Sequence, residues 1–127
     1  MEGRLTESDP LGKAPNQPGA KLDNGKNRLG LVLGDFSRAL QAVGEIGTFG
    51  AKKYTPGGWI EVPDGIERYT DALYRHLLAE AAGEEFDSDS KLAHMAHAAW
   101  NCLAVLELIL RQEEKINVRT NHDRPHF

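Results

Sequence analysis

The sequence predicts an all-α fold, a compact helical bundle of about three main helices that is completed by oligomerisation and preceded by a flexible N-terminal arm. Two observations predict it. Apolar residues recur at helical spacing in three segments that breaker residues separate. The third segment is apolar on nearly its whole circumference, so that more than one of its faces has to be covered. A length of 127 residues suits a single domain.

The two ends of the chain lack this periodicity. Residues 1–20 are rich in proline, glycine and charge, which predicts a flexible arm. Asn24-Gly25 is a turn signal just after it. The sequence therefore predicts an arm at 1–20, a helical domain at 21–115 and a C-terminal tail at 116–127.

The first helix is predicted from Asp35, a good N-cap, to about Lys52. The apolar run Leu29–Leu33 before it favours a short strand or an extended lead-in. Glycines 44, 47 and 50 weaken the helix by about 1 kcal/mol each, unless close packing or a ligand offsets that cost.

The second helix is predicted at about 64–82, with Gly83 as its C′ residue, and the third at about 90–115. Cys102 is expected to be a small core residue of the third helix. The predicted core stripe of that helix is Leu92, Met95, Ala96, Ala99, Leu103, Leu106 and Leu110. Its other side carries Ala98, Ala104, Val105 and Leu108, which indicates that oligomerisation covers the second face.

Charge and cysteine content limit the functional classes. A formal net charge of −4 argues against a nucleic-acid binder, but it is compatible with a nucleotide enzyme whose acidic residues hold a divalent cation. A single cysteine excludes an intrachain disulfide and favours a reducing compartment. Because no apolar stretch approaches membrane-spanning length, we expect a cytoplasmic protein.

Carboxylates and histidines cluster in the second half of the chain. Four carboxylates stand between residues 84 and 89, and the helices on both sides carry polar ridges. Carboxylate oxygens suit Mg²⁺ or Mn²⁺, and Mn²⁺ also accepts histidine. The predicted metal ligands are Asp71, His76, Glu84, Asp87, Asp89, His94 and His97, of which Glu84, Asp87 and His97 are also candidate catalytic residues. A solvated acidic linker and polar interface residues are the alternative interpretations.

Basic and aromatic residues elsewhere could hold a phosphate chain and stack on a base. The predicted nucleotide-binding residues are Lys21, Lys26, Arg28, Lys52, Lys53, Tyr54, Trp59, Arg75 and Asn101. Plain surface lysines are the alternative.

Five segments together carry a resemblance to a known family. They are KLDNGKNRLGLV at 21–32, FGAKKY followed by Trp59 at 49–59, RYTDALYRHLL at 68–78, GEEFDSDS at 83–90 and HMAHAAWN at 94–101. The chain resembles the phage-associated dATP/dGTP diphosphohydrolase family, which is related to the MazG-like all-α nucleotide pyrophosphohydrolases and includes the MazZ proteins.

The resemblance implies an all-α dimer or tetramer that hydrolyses a purine (deoxy)nucleoside triphosphate to the monophosphate and pyrophosphate with Mg²⁺ or Mn²⁺. In phages with 2-aminoadenine DNA, the related enzyme supplies dGMP from dGTP. The wider superfamily holds its metals with Glu-Glu-x-x-Glu and Glu-x-x-Asp. Here the corresponding stretches are 71–76 and 94–97, where histidines stand in place of acids.

Two other functions remain open at this point. One is a non-catalytic helical oligomer or accessory protein, in which the histidines are interface residues. The other is an HD-type phosphohydrolase, for which the sequence offers a single His-Asp dipeptide, His122-Asp123.

Overall fold

The computed structural model describes the backbone of residues 6–122 and the side chains of residues 6–118. Four α-helices follow one another: α1 (Gly30–Asp35), α2 (Ser37–Lys53), α3 (Gly65–Ala81) and α4 (His94–His122). A short 3-10 helix, Gly58–Glu61, lies between α2 and α3. The all-α prediction is confirmed. The chain divides after Asp35 into two compact units.

The first unit, up to Asp35, is organised around the carboxylate of Asp9. This buried group accepts backbone N–H groups from Leu11 at 2.7 Å and from Lys21 at 2.7 Å. The Lys21 N–H is the main cause that lowers the pKa of Asp9. The turn predicted at Asn24-Gly25 is present, with Gly25 at a φ of 78°. Residues 1–5 of the predicted flexible arm lie outside the described residues.

The prediction of a strand or extended lead-in at Leu29–Leu33 was wrong. The segment forms α1, in which the N–H groups of Leu31 and Leu33 donate to Arg28 O and Leu29 O at 3.0 Å. A lone extended segment would leave its backbone groups unpaired, whereas a helical turn pairs them locally. Because α1 extends to Asp35, this residue does not cap α2 as predicted. The N-cap of α2 is Phe36.

The second unit, from Phe36 onwards, has its core where α4 packs against both α2 and α3. Ile46 of α2 and the small residues Ala98 and Ala104 of α4 are buried there. The same face of α4 buries three polar residues, which are His94, His97 and Asn101.

The predicted core stripe of the third helix was therefore largely wrong. Met95, Leu103, Leu106 and Leu110 are about half exposed, and Cys102 is exposed as well. The histidine face packs inside the chain instead, because alanines 98 and 104 let the neighbouring helices approach closely.

Backbone hydrogen bonds fix the connection from α3 to α4. Gly83 has a φ of 98°, its N–H donates to Glu80 O, and the N–H of Glu84 donates to Ala79 O, both at 3.0 Å. These two bonds form a Schellman motif, so Gly83 is the predicted C′ residue. An isolated antiparallel bridge then pairs Phe86 with Ala93.

The third helix begins later and ends later than predicted. Residues 90–93 belong to the loop, since the N–H groups of Asp89 and Ser90 bond the Asp87 side chain and Lys91 takes a left-handed φ of 64°. At its other end α4 continues into the predicted tail as far as His122. Asp123, and with it the His-Asp dipeptide, lies outside the described residues. Among residues 6–122, no helix is long and apolar enough to cross a membrane.

Candidate metal and nucleotide site

A cleft of about 900 Å³ opens between α2, the 3-10 helix, α3 and α4. Ten of the predicted site residues line it, and they come from all of these elements and from the loop before α4. They are Lys53, Tyr54, Trp59, Asp71, Arg75, His76, Asp87, Asp89, His97 and Asn101. The tertiary structure thus gathers residues that lie up to 48 positions apart, from 53 to 101.

One cluster in this region has the geometry of a cation site. His76 of α3, Asp87 of the loop and His94 of α4 each offer a ligand atom, and these atoms lie within 4.8 Å of one another. Nδ1 of His76 and Nδ1 of His94 are 2.8 Å apart. Two imidazole nitrogens and a carboxylate oxygen form a donor set that divalent transition metals accept.

His94 is the innermost member of the cluster, with 5% of its surface exposed. Its Nε2 is buried and has no hydrogen-bond partner among the described residues. The Glu84 carboxylate lies close to it, with Oε2 at 3.5 Å, and the Glu84 side chain is 53% exposed.

His97 joins the cluster to the cleft. Its ring stacks on the ring of His76, with centroids 4.4 Å apart and an interplanar angle of 7°. Its Nε2 lies 2.6 Å from Ser90 Oγ and 4.0 Å from Asp87 Oδ2. Burial lowers the pKa of both His76 and His97, and therefore both rings are neutral at pH 7 and keep a free lone pair.

Asp87 stays ionised although it is partly buried. Burial raises its pKa, but the backbone N–H groups of Ser90 and Asp89 donate to it, and the net pKa is below the ordinary value. The Ser90 N–H···Oδ2 distance is 2.8 Å. The same carboxylate therefore fixes the loop and faces the histidines.

The cationic side of the cleft begins at the end of α2. Lys53 Nζ lies 2.7 Å from Asp89 Oδ2, and this contact raises the Lys53 pKa. The same ammonium group lies over the Tyr54 ring, 5.5 Å from its centroid. Arg75 and Asp71 line the cleft from α3. Phosphate groups entering here would meet two cations.

Glu84 and Lys52 are exposed and do not line the cleft, whereas the neighbouring Lys53 does. The predicted phosphate-binding residues of the first unit are Lys21, Lys26 and Arg28. Lys26 there forms an ion pair with Glu7 at 3.0 Å.

Sequence reasoning missed an aromatic wall of the cleft. Trp100 packs edge-to-face on Trp59, with ring centroids 5.8 Å apart, and on Tyr69, at 5.6 Å. The Tyr69 hydroxyl donates to Trp59 O at 2.8 Å. The signal was available, because Trp100 follows His97 by three residues and so lies on the same side of α4. Phe49 completes this wall.

Fold and cleft together define an all-α protein with a histidine–carboxylate cluster beside a cleft that charged and aromatic residues line. The family model described as dATP/dGTP diphosphohydrolase, N-terminal, matches residues 16–118. The chain belongs to this family.

A curated relative agrees with this membership. The chain is 32% identical over 91 residues to a protein of Salmonella phage PMBT28 named dATP/dGTP diphosphohydrolase. The match covers 72% of this chain but 30% of that protein, so the chain spans about a third of the relative's length. No solved structure matches the chain.

Proposed function

We propose that this domain hydrolyses a purine deoxynucleoside triphosphate, dGTP or dATP, to the monophosphate and pyrophosphate with the help of a divalent cation. The observation that carries the proposal is the convergence of His76, Asp87 and His94 beside a cleft that also holds cations and aromatic rings. The name of the phage relative supports the substrate class.

His76, Asp87 and His94 would hold the cation. The donor set fits, because two imidazoles and an ionised carboxylate converge within 4.8 Å. Such a set favours Mn²⁺ over Mg²⁺, which prefers oxygen ligands. Asp71 and Asp89 line the same cleft and stay predicted ligands. When bound, the cation supplies charge neutralisation at the phosphate oxygens and a water of lowered pKa.

Side chains of the protein would accept the proton of the attacking water and neutralise the charge on the leaving group. A water attacks the α-phosphorus, and its O–P bond forms as the bond to the departing pyrophosphate breaks. His97 takes the proton of this water at Nε2, directly or through Ser90 Oγ, since its ring is neutral at pH 7. Lys53 and Arg75 neutralise the charge that develops on the leaving pyrophosphate.

The base would lie against the aromatic wall. Trp59 and Tyr54 were the predicted stacking residues, and Trp100 and Tyr69 extend the same surface. Asn101 donates through Nδ2 to His97 O at 2.8 Å, which leaves its Oδ1 to accept a hydrogen bond from the sugar or base. In a phage with 2-aminoadenine DNA, hydrolysis of dGTP would supply dGMP for the modified nucleotide.

We further propose that copies of the chain associate through the outer face of α4 as a homo-dimer or homo-tetramer. Leu103, Leu106 and Leu110 lie on one side of this helix and are each about half exposed. Leu106→Glu should reduce the mass that light scattering measures toward the 14.0 kDa monomer. Gln112→Glu, on the opposite side of α4, should leave the mass unchanged. An unaltered mass in Leu106→Glu would contradict this interface.

The decisive experiment is product analysis over a panel of dNTPs and NTPs with Mn²⁺ or Mg²⁺. We expect pyrophosphate and a purine deoxynucleoside monophosphate. Release of orthophosphate or tripolyphosphate, or no turnover of any nucleotide, would contradict the proposal. His97→Ala should remove turnover but not the oligomer, whereas an assembly module would lose its oligomeric state.

A further inference from the structure

The Glu84 carboxylate lies beside the buried, unpaired nitrogen of His94, outside the cleft. Glu84 Oε2 is 3.5 Å from His94 Nε2, which has no other polar partner among the described residues, and the Glu84 side chain is 53% exposed. The Schellman motif that ends α3 places Glu84 directly after Gly83, so this position is fixed by the backbone.

The two nitrogens of His94 face different partners, and this decides which of them carries the proton. Nδ1 faces Nδ1 of His76 at 2.8 Å. A neutral imidazole has one N–H and one lone pair. If the proton were on Nδ1, the lone pair of Nε2 would face the Glu84 carboxylate, and the two would repel each other. With the proton on Nε2, that N–H donates to Glu84 and the Nδ1 lone pair is free.

We propose that Glu84 is a positioning residue that acts through His94. It holds the proton of His94 on Nε2, so that the Nδ1 lone pair is presented, with His76 and Asp87, to one cation. The proposal rests on the proposed divalent-cation function, and it replaces direct metal ligation or proton transfer by Glu84. Carboxylates that orient ligating histidines in this way commonly change metal affinity by about 10–100-fold.

The arrangement also accounts for the contact between the two Nδ1 atoms. With the Nδ1 lone pair of His94 available, His76 donates its own Nδ1–H to it. A tautomer of His76 with the proton on Nε2 would offer its Nδ1 lone pair to the cation as well, with no change in the net charge of the ring.

The test combines two measurements on the intact chain. Nitrogen-15 NMR of the histidine rings, with the His94 signals assigned from a His94→Gln spectrum, reports the tautomer without metal. Titration calorimetry with MnCl₂ reports the cation affinity. Glu84→Ala should move the His94 proton off Nε2 and weaken Mn²⁺ binding by about 10–100-fold. Glu84→Gln should weaken it less, because the amide oxygen still accepts from Nε2.

Glu85→Gln is the matched control, since it removes the same charge from the adjacent, exposed residue. It should change neither the tautomer nor the affinity. An unchanged tautomer in Glu84→Ala, or equal losses in Glu84→Gln and Glu85→Gln, would overturn the proposal while leaving the proposed function intact. If the unmodified protein neither binds Mn²⁺ nor turns over nucleotide, the proposed function is contradicted. The NMR comparison of the unmodified protein with Glu84→Ala still tests whether Glu84 sets the tautomer of His94.

Discussion

The imidazole of His76 lies flat against the imidazole of His97, with 4.4 Å between ring centroids and 7° between ring planes. One ring belongs to α3 and the other to α4, so the contact joins the two helices that enclose the cluster. A stack this close is favourable while both rings are neutral. Protonating either ring would place a charge in a partly buried site.

The stability of the protein should therefore decrease as the pH falls through the histidine range. Burial, followed for His76 by the charge that His97 would carry, lowers both pKa values below 6.5. Between the lowered pKa values and 6.5, the unfolded chain binds more protons than the folded one. The free energy of unfolding thus decreases as the pH is lowered through this window, and it stays constant at pH values below the window.

Urea unfolding at pH 7.5, 6.5 and 5.5 in the presence of a chelator measures this dependence. His76→Asn should show a smaller decrease, because one of the two titrating rings is gone. Asp87 does not contribute to the change in stability over this pH range, since its lowered pKa confines its contribution to pH values below about 4. A stability that is constant or rises on acidification would argue against neutral, stacked rings.

Lys53 should contribute to nucleotide binding, and its neighbour Lys52 should not. Lys53 lines the cleft and is held there by Asp89, whereas the exposed Lys52 does not line it. We expect Lys53→Ala to raise the KM for the triphosphate roughly tenfold, since a hydrogen bond from an ammonium group to a phosphate oxygen is among the stronger hydrogen bonds. Lys52→Ala removes the same charge as a control. Equal effects of the two variants would indicate general electrostatic attraction.

Asp87 should be needed both for the cation and for the loop before α4. Its carboxylate accepts the N–H groups of Asp89 and Ser90 while facing the histidines. We expect Asp87→Asn to keep the fold but to lose nearly all divalent-dependent turnover. Asp87→Ala should in addition destabilise the protein by about 1–2 kcal/mol, because two backbone donors lose their acceptor. Ser88→Ala, at an exposed neighbouring position, should change neither property in activity and unfolding assays.

Two glycine substitutions should have opposite effects on stability. Gly83 has a φ of 98°, which an L side chain rarely adopts, so Gly83→Ala should cost about 1–2 kcal/mol. Gly44 lies inside α2, and a Cβ added there meets nothing within 4 Å. Gly44→Ala should therefore stabilise the protein by up to about 1 kcal/mol. Thermal unfolding of the two variants checks both signs, and a stabilised Gly83→Ala would refute the Schellman assignment.

The sequence by itself determined the all-α class, the existence of three long helices and the C′ role of Gly83. These features depend on local patterns, because helical spacing and a glycine after the last turn act within a few residues. The segment patterns also identified the family before any geometry was known, and the family match over residues 16–118 confirmed it.

The choice of the buried face of α4 was decided by the tertiary structure. By hydrophobicity alone, the stripe containing Leu103 and Leu106 was the better core, yet the face of His97 and Asn101 packs inside the chain. Polar residues can occupy a packed face when neighbours from other segments satisfy them, as Ser90 does for His97 at 2.6 Å. Ser90 belongs to the loop before α4, and the periodicity of the helix carries no information about how that loop folds back.

For the candidate site too, the sequence determined the residue types and the tertiary structure determined the distances between them. Sequence named His76, Asp87 and His94 as ligand candidates from residue type, but it offered Asp71, Glu84 and others on equal terms. The loop held by Asp87 and the buried surroundings of His94 bring three of these candidates within 4.8 Å and leave Glu84 on the far side of the His94 ring. Residue type limits which chemistry is available, whereas the distances that select the ligands arise only when α3, the loop and α4 pack together.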